Sequence, residues 1–377
     1  MGSRLRQPLR LPVPDRETRF ALAGLSILVF ALLHGPLLGR GFFFERDIHM
    51  MWVGQIESFV RCVVGGSWPV WDPMIGFGRP MLANANNQIL YPPTWLNLLV
   101  RPWIYFTLYV ALHYLISAVG VFALGRVLRL STMASFVAAA VWTASGPFAS
   151  TVAIWNHFAG AAWLPWSLVA ADRALRRPRP GSLSAWGVSL ALPLLAGSPE
   201  SFLAAASLGA AWTATRLSRP MLQAANARRI GALAGACGVA LGLSAGQWLP
   251  TLELARVSAR GSSVEVSAWA WSLHPVMLSE LVFPFRWGEL PLLPRLLDQV
   301  LGNRAPLLRS IHLGLPALAL ALSGLLVPRR GRAFFAAVFT LSVLIALGNH
   351  GLLAPLLVTV LPPLGMFRFP AKAMVLA

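Results

Sequence analysis

The sequence predicts an all-α integral membrane protein: a polytopic helical bundle of about ten spans or partial spans, with two long extracytoplasmic loops bearing short helices. Three observations predict it. The first is composition: 56% of the 377 residues are hydrophobic and only 12% are charged, with mean hydropathy +0.65, where soluble domains carry about 25% charge. The second is the recurrence of apolar runs near the ~20 residues that cross a bilayer as a helix. The third is the placing of the basic residues, which lie between the runs. A net charge of +18 would suggest a polyanion partner in a soluble chain. Here it reads as membrane topology, with no nucleic-acid partner.

The first run, Phe20–Leu38, follows a basic tail (Arg4, Arg6, Arg10, Arg16, Arg19). A cleaved signal peptide is the competing reading, but no A-x-A-like site follows the run. Further runs are Ile104–Leu124, Met133–Phe148, Ile154–Ala171, Leu183–Gly197, Phe202–Thr215, Ile230–Leu249, Ile311–Val327 and Ala333–Leu347. A tenth begins near Leu352 and is interrupted by Pro362 and Pro363. It is unfinished at Ala377, so a fragment of a longer protein is expected. Residues 1–377 read as a single integral membrane domain. Within it, 1–19 form a cytoplasmic tail, 39–103 the first extracytoplasmic loop and 250–310 the second.

Charge tests this order. With the N-terminus inside, the tail and the short inside connections hold eighteen of the 31 basic residues, and each connection is positive, as the positive-inside rule requires. Only Asp15, Glu17 and Asp172 of the 13 acids fall inside. The acids that polar chemistry needs therefore collect on the outer face. Cys62 and Cys237 have no metal or redox spacing and read as ordinary buried thiols.

The outer segments carry the residues that suit chemistry. Glu45-Arg46-Asp47 follows the first run directly. A carboxylate there suits proton abstraction from a sugar hydroxyl, or a divalent cation holding a phosphate; the plainer reading is a charged helix start. Ile48, Met51, Trp52, Ile56, Phe59, Val60 and Val63 then recur at helical spacing, predicting an amphipathic helix over Ile48–Val64. Beyond it lie Trp68, Trp71, Asp72, Asn84, Asn86, Asn87, Gln88 and Tyr91 among glycines and prolines. Aromatic faces with amides suit sugars; an interfacial loop stapled by Pro and Trp is the alternative. His113 and Tyr114 fall inside a run, and Asn156-His157, Glu200, His274, Glu280 and Asn349-His350 fall near run ends, where capping is the ordinary role. Arg368 follows the proline-broken run. It suits either a lipid-linked phosphate or snorkelling to headgroups.

The pattern resembles the bacterial YfhO-like membrane proteins, a branch of the GT-C-type glycosyltransferases. The resemblance rests on ERD after the first run and on WPVWDPMIGFGRPMLANANNQILYPPTWL. GSPE at Gly197–Glu200, FPFRWG at Phe283–Gly288 and MFRFPAK at Met366–Lys372 support it. It implies a GT-C-like fold in the inner or plasma membrane. It also implies transfer of a sugar from a polyprenyl-phosphate donor to a glycan, teichoic-acid-like or lipid acceptor of the cell envelope, on the outer face. By the same resemblance Asp47 is the catalytic base and Glu45 assists. Arg368, with Arg46 and Lys372, meets the donor phosphate; Trp71, Asp72, Asn84, Asn87, Gln88, Tyr91 and Glu200 line the substrate site. No cofactor beyond a divalent cation is implied. Known members run longer than this chain. Two rival classes remain at this point: a lipid or solute transporter or flippase, and a non-catalytic membrane scaffold. The near absence of ionisable residues inside the runs counts against ion coupling. No P-loop and no dinucleotide fingerprint is present.

Overall fold

Polar residues set the limits of the first helix. Asp15 caps α1 (Arg16–Leu37) by accepting from the Thr18 amide at 2.8 Å, and Glu17 sits in its first turn, where the helix dipole favours an acid. The buried residues of α1 are Leu25, Val29 and Leu33, a stripe at i, i+4, i+8. The rest of its surface leaves Phe20, Ile27 and Phe30 exposed. The computed structural model describes residues 15–44, 47–218, 223–258, 269–284, 306–329 and 331–377, and these are mostly helical.

The buried stripe of α1 faces α3 (Pro102–Val127) and α4 (Thr132–Ala144). Pro102 opens α3 where its missing N–H costs nothing. Gly125 lets α3 and α4 touch: a Cβ there would stand 2.7 Å from the Ser135 hydroxyl, the small-residue contact expected between membrane helices. After α4 come α5 (Gly146–Ser150), α6 (Trp155–Ala162), α7 (Leu164–Arg176), α8 (Pro180–Leu195) and α9 (Pro199–Ala214). Next are α10 (Ala224–Leu243), α11 (Ala245–Val257), α12 (Leu315–Leu326), α13 (Arg332–Ala346) and α14 (Leu353–Val360). Helix α7 packs on α3, α8 and α9, and α10 packs on α8.

Among the described residues two helices, α1 and α3, are long and apolar enough to cross a membrane. The number rises to four if each of two bent pairs is one span: α4 with Gly146–Ala153, bent by 40°, and α10 with α11, bent by 76°. Helices α8, α12 and α13 are shorter apolar helices. Two predicted boundaries move. The run Ile154–Ala171 is two helices, α6 and α7, broken at Trp163, because Pro165 starts a new helix rather than continuing one. The second outer loop does not begin at Pro250, which lies inside α11. The break at Pro362-Pro363 is observed: α14 ends at Val360 and a 3-10 turn spans Pro362–Met366.

The predicted amphipathic helix forms as a π-turn over Ile48–Trp52 followed by α2 (Val53–Val64). Its apolar face meets protein: Ile48, Trp52, Ile56 and Phe59 are buried, and Trp52 stacks on Tyr105 with centroids 5.9 Å apart. Met51 departs from the pattern and is exposed. A two-residue hairpin follows, β1 (Trp71–Asp72) against β2 (Arg79–Pro80), in antiparallel register Asp72 to Arg79.

Asp172, one of the few acids among the basic connections, is buried on α7. It takes Arg176 and Arg216 together and accepts from the Trp212 indole at 3.2 Å. A buried carboxylate with two guanidiniums and an indole is satisfied, and it ties α7 to the end of α9.

Candidate functional site

Three segments far apart in sequence bring one polar cluster together. Helix α6 presents His157 from its first turn. Pro199 starts α9, which places Glu200 in that helix's first turn, where a carboxylate suits the dipole. The 3-10 turn Pro370–Leu376, packed on α13, presents Lys372. Lys372 Nζ donates to Glu200 Oε1 at 2.6 Å and lies 3.4 Å from His157 Nε2. Nδ1 of His157 is 3.2 Å from Ser198 Oγ and 3.7 Å from Glu200 Oε2. Ser198 in turn donates to Ser201 Oγ at 2.7 Å. The Lys372 ammonium can only donate, so its contact with Nε2 is satisfied when the ring proton is on Nδ1 and the Nε2 lone pair faces Lys372.

Burial pushes the Glu200 carboxyl up, but Lys372 and then His157 outweigh it and hold the pKa at about 2. Glu200 precedes the apolar stretch of α9 that opens at Phe202.

The cluster lines a cavity of about 470 Å³, within the size range of small-ligand sites. Its walls are apolar, with Leu203 and Leu208 from α9, Val338 and Leu341 from α13, and Leu357 from α14. His157, Glu200, Arg368 and Lys372 supply its charged or titratable lining. Arg368 differs from the others: among the described residues its guanidinium makes no hydrogen bond or ion pair. Phe369, between the two cations, has φ +71°, a left-handed conformation that costs a bulky residue about 1–3 kcal/mol. It is braced edge-on by Trp271, with centroids 4.7 Å apart, and Lys372 lies 5.3 Å over its ring.

The structure thus brings Arg368, Lys372 and Glu200 together and leaves the first outer loop elsewhere. Asp47 is exposed at the head of the π-turn, with no side-chain cap, and does not line the cavity. Glu45 and Arg46 lie outside the described residues, and with them the expected assistance of Asp47 by Glu45 and the phosphate contact of Arg46. Among the described residues no group of three His, Cys, Asp or Glu side chains is placed to hold a metal ion.

The amides of the loop are engaged within the protein. Asp72 is buried, accepts from the Met74 amide and lies 3.9 Å from Arg79. Asn84 caps the turn Ala85–Asn87, and Asn87 donates to the Met81 carbonyl. Gln88 donates to the Tyr109 hydroxyl and the Ala196 carbonyl. Tyr91 donates to His113 Nε2 at 2.6 Å and accepts from the Trp163 indole at 2.9 Å. Trp71 alone of the set is exposed, with its indole laid against Gly78.

This loop reaches the cluster indirectly. Asn156 donates to Asn86 Oδ1 and to the Gly197 carbonyl. Gly197 itself has φ +73°, and a Cβ there would run into the Ala85 carbonyl oxygen. The loop therefore fixes the residues directly before His157 and before the Ser198–Glu200 turn. Sequence reading treated His157 as an ordinary helix-end residue. Its neighbour Lys372 enters the sequence reading only through the family resemblance, although it is the single lysine among 31 basic residues.

No family model, curated protein or solved structure matches the chain.

Proposed function

We propose that the protein is a GT-C-type membrane glycosyltransferase of the cell envelope, its shorter apolar helices completing a bundle of about ten spans. The N-terminus and the Arg176–Arg179 and Arg329–Arg332 connections are cytoplasmic in this reading, and the cavity faces outward. Its donor is a sugar on a polyprenyl phosphate, and its acceptor a glycan, teichoic-acid-like polymer or lipid. One observation carries the reading: an apolar cavity is lined by a half-buried arginine that has no counter-charge among the described residues. An apolar chain with an anionic head satisfies both parts at once, because a charge in such a site calls for a partner.

The chemistry is a displacement at the anomeric carbon. The polyprenyl chain fills the apolar walls, and Arg368 and Lys372 neutralise the phosphate as it leaves. Asp47 takes no part in this arrangement.

Arg368→Ala tests it. Charge-assisted hydrogen bonds are worth about 1.5–3 kcal/mol, so binding of a polyprenyl-phosphate hexose should weaken roughly 10- to 100-fold. The fold should be undisturbed, since the guanidinium has no partner among the described residues to lose. Native mass spectrometry of the protein in nanodiscs reads both. Equal donor binding by wild type and variant would remove the reading. Donor binding without sugar transfer would favour a lipid flippase.

A further inference from the structure

We propose that His157 is the general base of this site, that Glu200 and Ser198 position it, and that Lys372 caps its reactive nitrogen until a phosphate draws the ammonium away. The inference rests on the donor reading above and names the proton acceptor that reading lacks.

Three observations carry it. First, Nδ1 lies 3.2 Å from Ser198 Oγ and 3.7 Å from Glu200 Oε2, and Nε2 faces the Lys372 ammonium, which only donates, so the neutral ring that fits these neighbours carries its lone pair on Nε2. A histidine whose far nitrogen meets a hydroxyl within hydrogen-bond distance and faces a carboxylate just beyond it has the arrangement of an oriented base. Second, Nε2 faces Lys372 Nζ at 3.4 Å, and that ammonium is shared with Glu200. An anion entering the cavity competes with Glu200 for it. Movement of Lys372 toward phosphate would uncover Nε2 and leave the Glu200 carboxylate to the imidazole alone. Third, His157 lines the same cavity as Arg368 and Lys372, whereas Asp47 does not. Among the described residues the charged groups sharing that cavity with His157 are Glu200 on α9 and Arg368 and Lys372 on the C-terminal segment.

The step balances without a co-reactant. The acceptor hydroxyl oxygen bonds to the anomeric carbon, and its proton passes to His157 Nε2. The bond from the anomeric carbon to the phosphate oxygen breaks, and its electron pair stays on the phosphate. Arg368 and Lys372 meet that charge, and the imidazolium, held by Glu200, gives its proton to water as product leaves.

The test uses the intact gene product in nanodiscs, a panel of polyprenyl-phosphate hexoses and an envelope-glycan extract as acceptor. Binding is read by native mass spectrometry and transfer by release of polyprenyl phosphate. His157→Ala should lower transfer by about 10²–10⁴-fold with donor binding retained, and added imidazole should restore part of the rate. Glu200→Gln should cost less and move the rising limb of the pH–rate profile to lower pH, because the imidazole loses the carboxylate that raises its basicity. A purely structural Glu200 would lower the rate without moving the limb. Glu200→Asp should recover part of both effects. If His157→Ala transfers at the wild-type rate, or loses donor binding as steeply as transfer, His157 is not the base while the donor reading stands. If the wild-type protein neither binds nor consumes any donor of the panel, the donor reading falls, and this inference with it.

Discussion

The first outer loop and the C-terminal turn make opposite use of their polar residues. The loop is rich in them, and nearly all are spent: Gln88, Asn87, Asp72 and Tyr91 each bond within the protein. The C-terminal turn is poor in them, yet Arg368 makes no bond among the described residues and Lys372 is shared between a carboxylate and an imidazole. A dense run of amides and rings is therefore a fastening, and the sparse cationic turn has the capacity left for a ligand.

The sharpest way to break this comparison is at Gly197. A side chain there meets both the positive φ and the Ala85 carbonyl. Gly197→Val should cost about 3 kcal/mol or more, seen as loss of the folded peak in fluorescence-detected size exclusion. Near-wild-type melting would mean that the loop does not anchor α9. Tyr91→Phe is the next test. It strips a buried hydroxyl that both donates to His113 and accepts from Trp163. Stability should fall by about 1–3 kcal/mol, with donor binding unchanged. Weakened donor binding at unchanged stability would turn the fastening into a binding surface. The smallest effect is expected at Asp47. Its carboxylate is exposed, so Asp47→Asn should alter stability by no more than about 0.5 kcal/mol and leave transfer near the wild-type rate. A loss of 10²-fold or more, the size expected of a base, would return the chemistry to the first loop.

The helices were legible because apolar periodicity is local. The i, i+4 face of Ile48–Val64 could be read directly, and so could the break at Pro362-Pro363. Pro165 carried the signal that splits the Ile154–Ala171 run, and length had obscured it. The number of membrane crossings was less legible than the helices, since α8, α12 and α13 are apolar but short. The site was half legible. Arg368 and Glu200 are legible as charges near run ends in an apolar chain, whereas Lys372 enters only through the family resemblance. Their meeting with His157 depends on contacts across 172 and 215 residues, which no local pattern encodes. The loop misled for the same reason. Gln88 finds its carbonyl at Ala196, 108 residues away, and nothing around Gln88 tells a bonded amide from an open one.

The separation of Glu200 from Lys372 also has a consequence for biosynthesis. At roughly 5–20 residues per second, the ribosome needs about 10–30 s to add the 172 residues between them. Throughout that interval α6 and α9 have been made and the carboxylate has no lysine to meet. Glu200 must stay hydrated or take up a proton while the nascent bundle is held at the insertion machinery. Closure of the polar cluster then waits until the chain has grown past Lys372, and a chain arrested before that point would leave an acid exposed at that spot for a quality-control protease to find.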